Sequence, residues 1–164
     1  MFQLQGDSEI IIQGEIPDLK NLPEKKILKI FINNQTIGQQ LKEEMLQQYD
    51  QKDYDLDLYF EKKLLDLNTP LIQQGVNSGR QIIFEFVAPI IIIVNSKAQQ
   101  YSIKVTSQMT TLDLEIQLNQ LFSTKKRFSF LKDGEIISPN NYLFNQKIIK
   151  NATIQANVIN DAGK

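Results

Sequence analysis

The sequence predicts an α+β protein built from two copies of one unit, each a group of strands around a single helix. Three observations carry that expectation: an internal repeat, runs of alternating apolar residues, and one helical stripe per copy.

An internal repeat bears on the reading of every other segment. Asn68-Thr69-Pro70-Leu71 stands against Asn140-Asn141-Tyr142-Leu143, an offset of 72. The same offset carries Leu64-Leu65 onto Ile136-Ile137, Val76 onto Ile148, Ile82 onto Ile154 and Phe86 onto Val158. Upstream, an offset of 75 sets Thr36-Ile37 on Thr111-Leu112, Leu41 on Ile116, Leu46 on Leu121, and Leu28 and Ile30 on Ile103 and Val105. A difference in loop length reconciles the two offsets. The units are expected at 1–87 and 88–164, with 160–164 as a C-terminal tail. The junction Val87-Ala88-Pro89-Ile90 is too short for free tumbling, so the halves are expected to lean on one another.

Each copy reads strand, strand, helix, strand, short strand, turn region, strand. In the first, EIIIQGEI supplies an opening strand, and ILKIFI (27–32) is rich in β-formers and stops at the turn signal Asn33-Asn34. Thr36 sits where an N-cap belongs, its hydroxyl able to accept a free backbone N–H. IGQQLKEEML then repeats apolar residues at Ile37, Leu41 and Met45, one helical stripe. LDLYF (56–60) alternates, and RQIIFEFV (80–87) closes the unit with Ile82, Phe84 and Phe86 on one face.

The second copy opens with PIIIIVN (89–95) and YSIKVT (101–106). Its helix has the weaker signature. TLDLEIQLNQLF places apolar residues at 112, 114, 116 and 118, a strand-like period. The repeat sets this segment opposite a clear helix, and Leu114, Leu118, Leu121 and Phe122 share a helical face, so helix is predicted. FSFLKDGEII carries Asp133-Gly134 as a hairpin turn. NATIQANVI (151–159) is the last strand.

Composition narrows the function. The 164 residues contain 18 basic and 19 acidic side chains, so no global field recruits nucleic acid or anionic lipid. Lys125, Lys126 and Arg127 form the one dense basic run, read as a solvated loop. Cys, His and Trp are absent, which removes disulfides, thiolate nucleophiles, imidazole bases and nearly all zinc chemistry. With no Gly-rich phosphate loop either, no catalytic residue, metal or cofactor is expected, and the protein is not expected to be an enzyme. Apolar stretches such as Ile90–Val94 fall far short of the ~18–20 residues of a membrane span. A soluble, cytoplasmic protein is expected. The many Gln and Asn residues are read as solvent-facing filler.

The segment FLKDGEIISPNNYLFNQKIIKNATIQANVI resembles the second half of ubiquitin and SUMO. The shared order is a strand, a turn ending in Gly, a short strand, Leu and Ile five apart, and a Thr-apolar-x-apolar opening to the final strand. The resemblance covers nearly all of 89–163 and is looser over 9–87. It implies the β-grasp, a mixed sheet wrapped across one helix, here in tandem. The pairing of two such units resembles the interferon-induced tandem modifier of vertebrates and bacterial counterparts in antiphage operons, so a role in antiviral defence is among the expectations.

In modifiers of this family the reactive group is the terminal carboxylate. An activating enzyme adenylates it, a conjugating enzyme carries it, and it ends as an isopeptide bond on a target lysine. The resemblance places that role on Gly163, nine residues beyond Ile154, with Ala162 before it and Lys164 as a residue for a processing protease to remove. Where the family carries Gly-Gly flanked by arginine, this chain has Ala162-Gly163 preceded by Ile159, Asn160 and Asp161, which implies dedicated enzymes. The family's docking patch lies near the end of the third strand and on the last strand; it maps to Leu131 with Asn157 in the second copy and to Tyr59 with Glu85 in the first. Neither copy reproduces that patch, which implies that ordinary ubiquitin-binding modules do not recognise the chain; Leu131 and Tyr59 are kept as the candidate protein-interaction residues. The alternative expectation is a non-conjugated tandem adaptor that binds partner proteins through its sheet faces.

Overall fold

A computed structural model of the chain describes residues 4–17, 24–94 and 99–159. The chain divides into two compact units, Met1–Val87 and Ala88–Lys164. Each is an α+β arrangement of the β-grasp kind.

In the first unit, β1 (Ser8–Ile16) and β2 (Glu24–Ile32) pair antiparallel, followed by α1 (Gly38–Gln48), β3 (Asp55–Phe60), β4 (Lys63–Leu64) and the first half of β5 (Gln81–Val94). β5 runs parallel to β1 on one side and antiparallel to β3 on the other, giving the order β2-β1-β5-β3-β4. Alternation dictates what faces the helix. Ile10, Ile12, Ile30, Ile32, Leu58, Ile82, Phe84 and Phe86 are buried, and so are Leu41 and Met45 on α1. Fully burying a Leu or Met contributes about 1.5–3 kcal/mol, so Leu41 and Met45 anchor α1 more firmly than its polar composition does.

The second unit repeats the design. It runs from the second half of β5 through β6 (Gln100–Thr106), α2 (Thr111–Phe122), β7 (Arg127–Lys132) and β8 (Glu135–Ile136) to β9 (Thr153–Ile159). β9 is parallel to β5 and antiparallel to β7, so the order is β6-β5-β9-β7-β8. Its core holds Ile90, Ile92, Ile103, Val105, Leu114, Leu118, Phe130, Leu143 and Ile154.

α2 is a helix despite its strand-like period: Leu114 and Leu118 point in, while Leu112 and Ile116 point out at 59% and 47% exposure. Leu121, expected on the inner face, is exposed. Phe122 closes that end of the helix instead, its ring edge-on to Tyr101 at 5.0 Å.

Two further expectations are corrected. The offset of 75 for the upstream half matched apolar residues to apolar residues without regard to facing. In the fold, buried Ile30 and Ile32 answer to Ile103 and Val105, and Leu41 and Met45 to Leu114 and Leu118, an offset of 73. Nor is Thr36 the N-cap. Ile37 is, and its N–H donates to Gln40 Oε1 at 3.0 Å. The Thr36 hydroxyl accepts the Asn33 N–H at 3.0 Å and so closes the preceding turn. In α2 the N-cap is Thr110, whose N–H donates to Asp113 Oδ2 at 2.8 Å.

The Asp133-Gly134 hairpin is present, with φ of 53° and 81°, the left-handed pair that a two-residue turn between twisted strands requires. The matching turn in the first unit is Glu61-Lys62, also left-handed at 50° and 66° but with no glycine.

Candidate protein-interaction face

On each sheet, residues that alternate with the core point away from the helix. In the first unit the strand register lines up five of them in a single row. Leu64 on β4 is opposite Tyr59 on β3, Tyr59 opposite Ile83 on β5, Ile83 opposite Gln13 on β1, and Gln13 opposite Ile27 on β2. Strands lie about 4.7–4.9 Å apart, so the row crosses roughly 19 Å of sheet. Leu64 is 59% exposed, Ile83 45% and Ile27 66%, with Tyr59 half-buried between two of them. Phe31, also exposed, extends the apolar surface along β2.

A charged row flanks it on one side. Asp57, Glu85, Glu15 and Lys25 occupy one row, in register across β3, β5, β1 and β2. The Tyr59 hydroxyl lies 3.4 Å from Asp57 Oδ2, which ties the apolar row to the acidic one. On the opposite flank Lys29 pairs with Glu9 at 3.6 Å. Aliphatic side chains held open on a sheet, rimmed by charge, are the composition of a docking surface.

Tyr59 therefore sits inside the patch, but its β5 neighbour is Ile83; Glu85 is opposite Asp57. The sequence reading missed Ile83, Ile27 and Leu64. A signal for the first existed: with Ile82, Phe84 and Phe86 turned inward, RQIIFEFV leaves Ile83 at an outward position where a polar residue is ordinary.

Leu131 lies on a different kind of surface. It is opposite Gln155 on β9 and Ile136 on β8, whereas Asn157 is opposite Ser129. Gln155 Nε2 donates to Asn157 Oδ1 at 3.3 Å, so the middle of this face is polar. Ala162, Gly163 and Lys164 lie outside the described residues.

Among the described residues, no group of three or more Asp or Glu is placed to hold a metal ion. No helix among them is long and apolar enough to cross a membrane.

No protein-family model matches the chain, and no curated protein does. Solved structures do match it. One is the N-terminal ubiquitin-like domain in the 4931431F19Rik protein, 11% identical, covering 48% of this chain and 80% of that one at a TM-score of 0.41. Another is a de novo design based on ubiquitin, 14% identical, covering 48% of this chain and 95% of the design at a TM-score of 0.41.

Proposed function

We propose that this chain is a tandem ubiquitin-like adaptor that acts by being bound, its first unit docking a partner protein on the row Leu64–Tyr59–Ile83–Ile27. The observation that carries this reading is the exposure of three large aliphatic side chains in one register line, on a sheet whose other face is already packed against α1. Core packing has no use for them there, and desolvating an aliphatic cluster is the main source of affinity at protein interfaces. The protein itself contributes no catalytic side chain.

A photo-crosslinking residue placed at position 83 of the full chain, in its source cell, tests this. A discrete adduct is expected from position 83 and not from Gln47, and it should disappear when Ile27 and Leu64 are both changed to Ser. Equal crosslinking from both positions, or an adduct indifferent to those changes, removes the reading.

A second reading, conjugation to target lysines through Gly163 after a protease removes Lys164, is favoured by the spacing from buried Ile154 to Gly163. It brings an activating and a conjugating enzyme as partners. Intact mass and branched-peptide mapping on protein from its source decide it: high-mass adducts lost in Gly163→Ala support it, and their absence from the parent chain removes it.

A further inference from the structure

We infer that the second unit carries its own docking site, a groove between α2 and β7 that takes a short acidic segment of a partner protein by one or two aliphatic or aromatic side chains. This site is independent of the face on the first unit.

The groove encloses about 230 Å³ and is lined by Leu112 and Glu115 of α2, Arg127 of β7, Ile136 of β8, Pro139 and Ile159. Small-molecule sites run to roughly 300–1,000 Å³, so side chains suit its size better than a whole ligand. Leu112, Ile136 and Ile159 are all exposed along it.

The first unit is an internal control for what the fold itself needs. At the structural offset of 73, Leu112 and Ile116 correspond to Gln39 and Glu43, which are hydrogen-bonded to each other at 3.0 Å on the outer face of α1. At the offset of 72, Pro139 corresponds to Leu67. There Leu67 lies against the start of α1, so close that a Cβ on Gly38 would meet its Cδ2 at 3.0 Å, and its carbonyl accepts the Gln39 N–H. One unit thus covers the start of its helix with its own leucine and keeps the outer helix face polar. The other leaves the hollow open and makes that face aliphatic.

The occupant is not an added strand. Two outward backbone groups of β7 are already taken: the Phe128 N–H donates to Glu115 Oε1 at 2.8 Å, and the Phe130 carbonyl accepts the Ile137 N–H at 2.8 Å. Insertion of side chains remains.

Charge selects the partner's sign. Arg127 lines the groove, its side chain 70% exposed, and exposed Lys125 and Lys126 directly precede it. Glu115, the acid in the lining, is committed to the Phe128 N–H and lies 3.5 Å from Arg127 Nε. Asn119 donates from Nδ2 to the Lys126 carbonyl and accepts the Lys126 N–H, both at 2.8 Å, which fixes the backbone leading into Arg127, while the Lys126 side chain borders a separate hollow with Tyr101 and Phe122. An exposed guanidinium beside an aliphatic hollow fits a carboxylate flanking an apolar anchor.

The test is a titration of isotope-labelled full chain followed by amide NMR, with three acetylated decapeptides. One carries an Ile-Leu-Ile triplet and four Glu, one has Lys for Glu, and one has Ser for the triplet. Only the first is expected to move the signals of Leu112, Glu115, Ser129 and Ile136. Leu112→Glu with Ile136→Glu, both at exposed positions, should weaken binding at least roughly tenfold while signal dispersion stays intact. Arg127→Gln, which removes the cation of the lining, should weaken it by about the same factor and flatten its salt dependence. Ile83→Glu should leave it unchanged, which separates this site from the first unit's face. The inference is overturned by no binding at millimolar peptide, by equal binding of the lysine peptide, by shifts confined to the first unit, or by single-stranded RNA moving the same signals as strongly.

Discussion

Gly14 and Phe84 face each other across the parallel β1–β5 pair, with no room left between them. A Cβ on Gly14 would lie 2.3 Å from the Phe84 carbonyl oxygen and 2.7 Å from its ring. The missing side chain is what lets the Phe84 ring fold down into the core, edge-on to Phe86 at 5.9 Å. Gly14→Ala is therefore expected to destabilise the first unit by about 1–3 kcal/mol, the usual cost of overpacking. Denaturant unfolding of parent and variant measures it; an unchanged midpoint would show that β1 yields freely.

A second prediction concerns two glutamines. Gln74 accepts the Asp66 N–H at 2.9 Å and donates to the carbonyls of Asp66 and Thr69 at 2.8 and 3.0 Å. Gln146 does the same, accepting from Ser138 N–H at 2.7 Å and donating to Ser138 and Asn141 carbonyls at 2.9 and 3.2 Å. Gln146→Glu replaces two donated bonds with a carboxylate facing two carbonyl oxygens. It should cost about 1–3 kcal/mol at neutral pH, with part of the loss recovered in acid as the new carboxyl takes up a proton. Thermal melts at pH 7 and pH 4 follow both effects, each compared with the parent.

Tyr54 gives an alkaline signature. It is 2% exposed, and burial, helped by the charge of Asp53, pushes its phenol up to about 12. An unfolded tyrosine ionises near ~10. The folded state therefore holds the proton more tightly, stability is intact below pH ~10, and it falls as pH rises from ~10 through ~12 by on the order of 2–3 kcal/mol. Tyr54→Phe should remove that share of the alkaline loss, read as the difference between the two pH–stability curves.

The Glu61-Lys62 turn offers a gain. Left-handed backbone costs a residue with a Cβ roughly 1–2 kcal/mol, and glycine repays part of the relief in chain entropy. Lys62→Gly, which copies Gly134 of the other unit, should stabilise by about 0.5–1 kcal/mol. Glu61 is better left alone, since it pairs with Arg80, whose guanidinium sits over the Phe60 ring at 5.1 Å. A raised denaturation midpoint with an unchanged slope is the expected readout.

How much of this was legible beforehand follows from the range of each interaction. Alternation within one strand is local, and Ile82, Phe84 and Phe86 declare the inner face of β5 without help. α2 needed both its counterpart and the shared face of Leu114 and Leu118 to be read, because Leu112 and Ile116 sit on the exposed side and imitate a strand. Register between strands distant in sequence is not local. Nothing in RQIIFEFV alone says that Ile83 lies beside Tyr59 and in line with Ile27. Side-chain bonds to backbone are hidden in the same way, so Gln74 and Gln146 passed as filler and Thr36 as a cap. The tail expectations, Ala162 to Lys164, fall outside the described residues.

Those paired glutamine clasps make the segments that bear them interchangeable parts. Each draws its whole set of clasp bonds from within its own nine residues, 66–74 in one unit and 138–146 in the other. A chimaera that trades the two stretches keeps every such bond, whereas it would move Leu67 and Pro139 to each other's homes. Transplantation thereby isolates what Leu67 and Pro139 each do at the start of a helix, with the clasp itself unaltered.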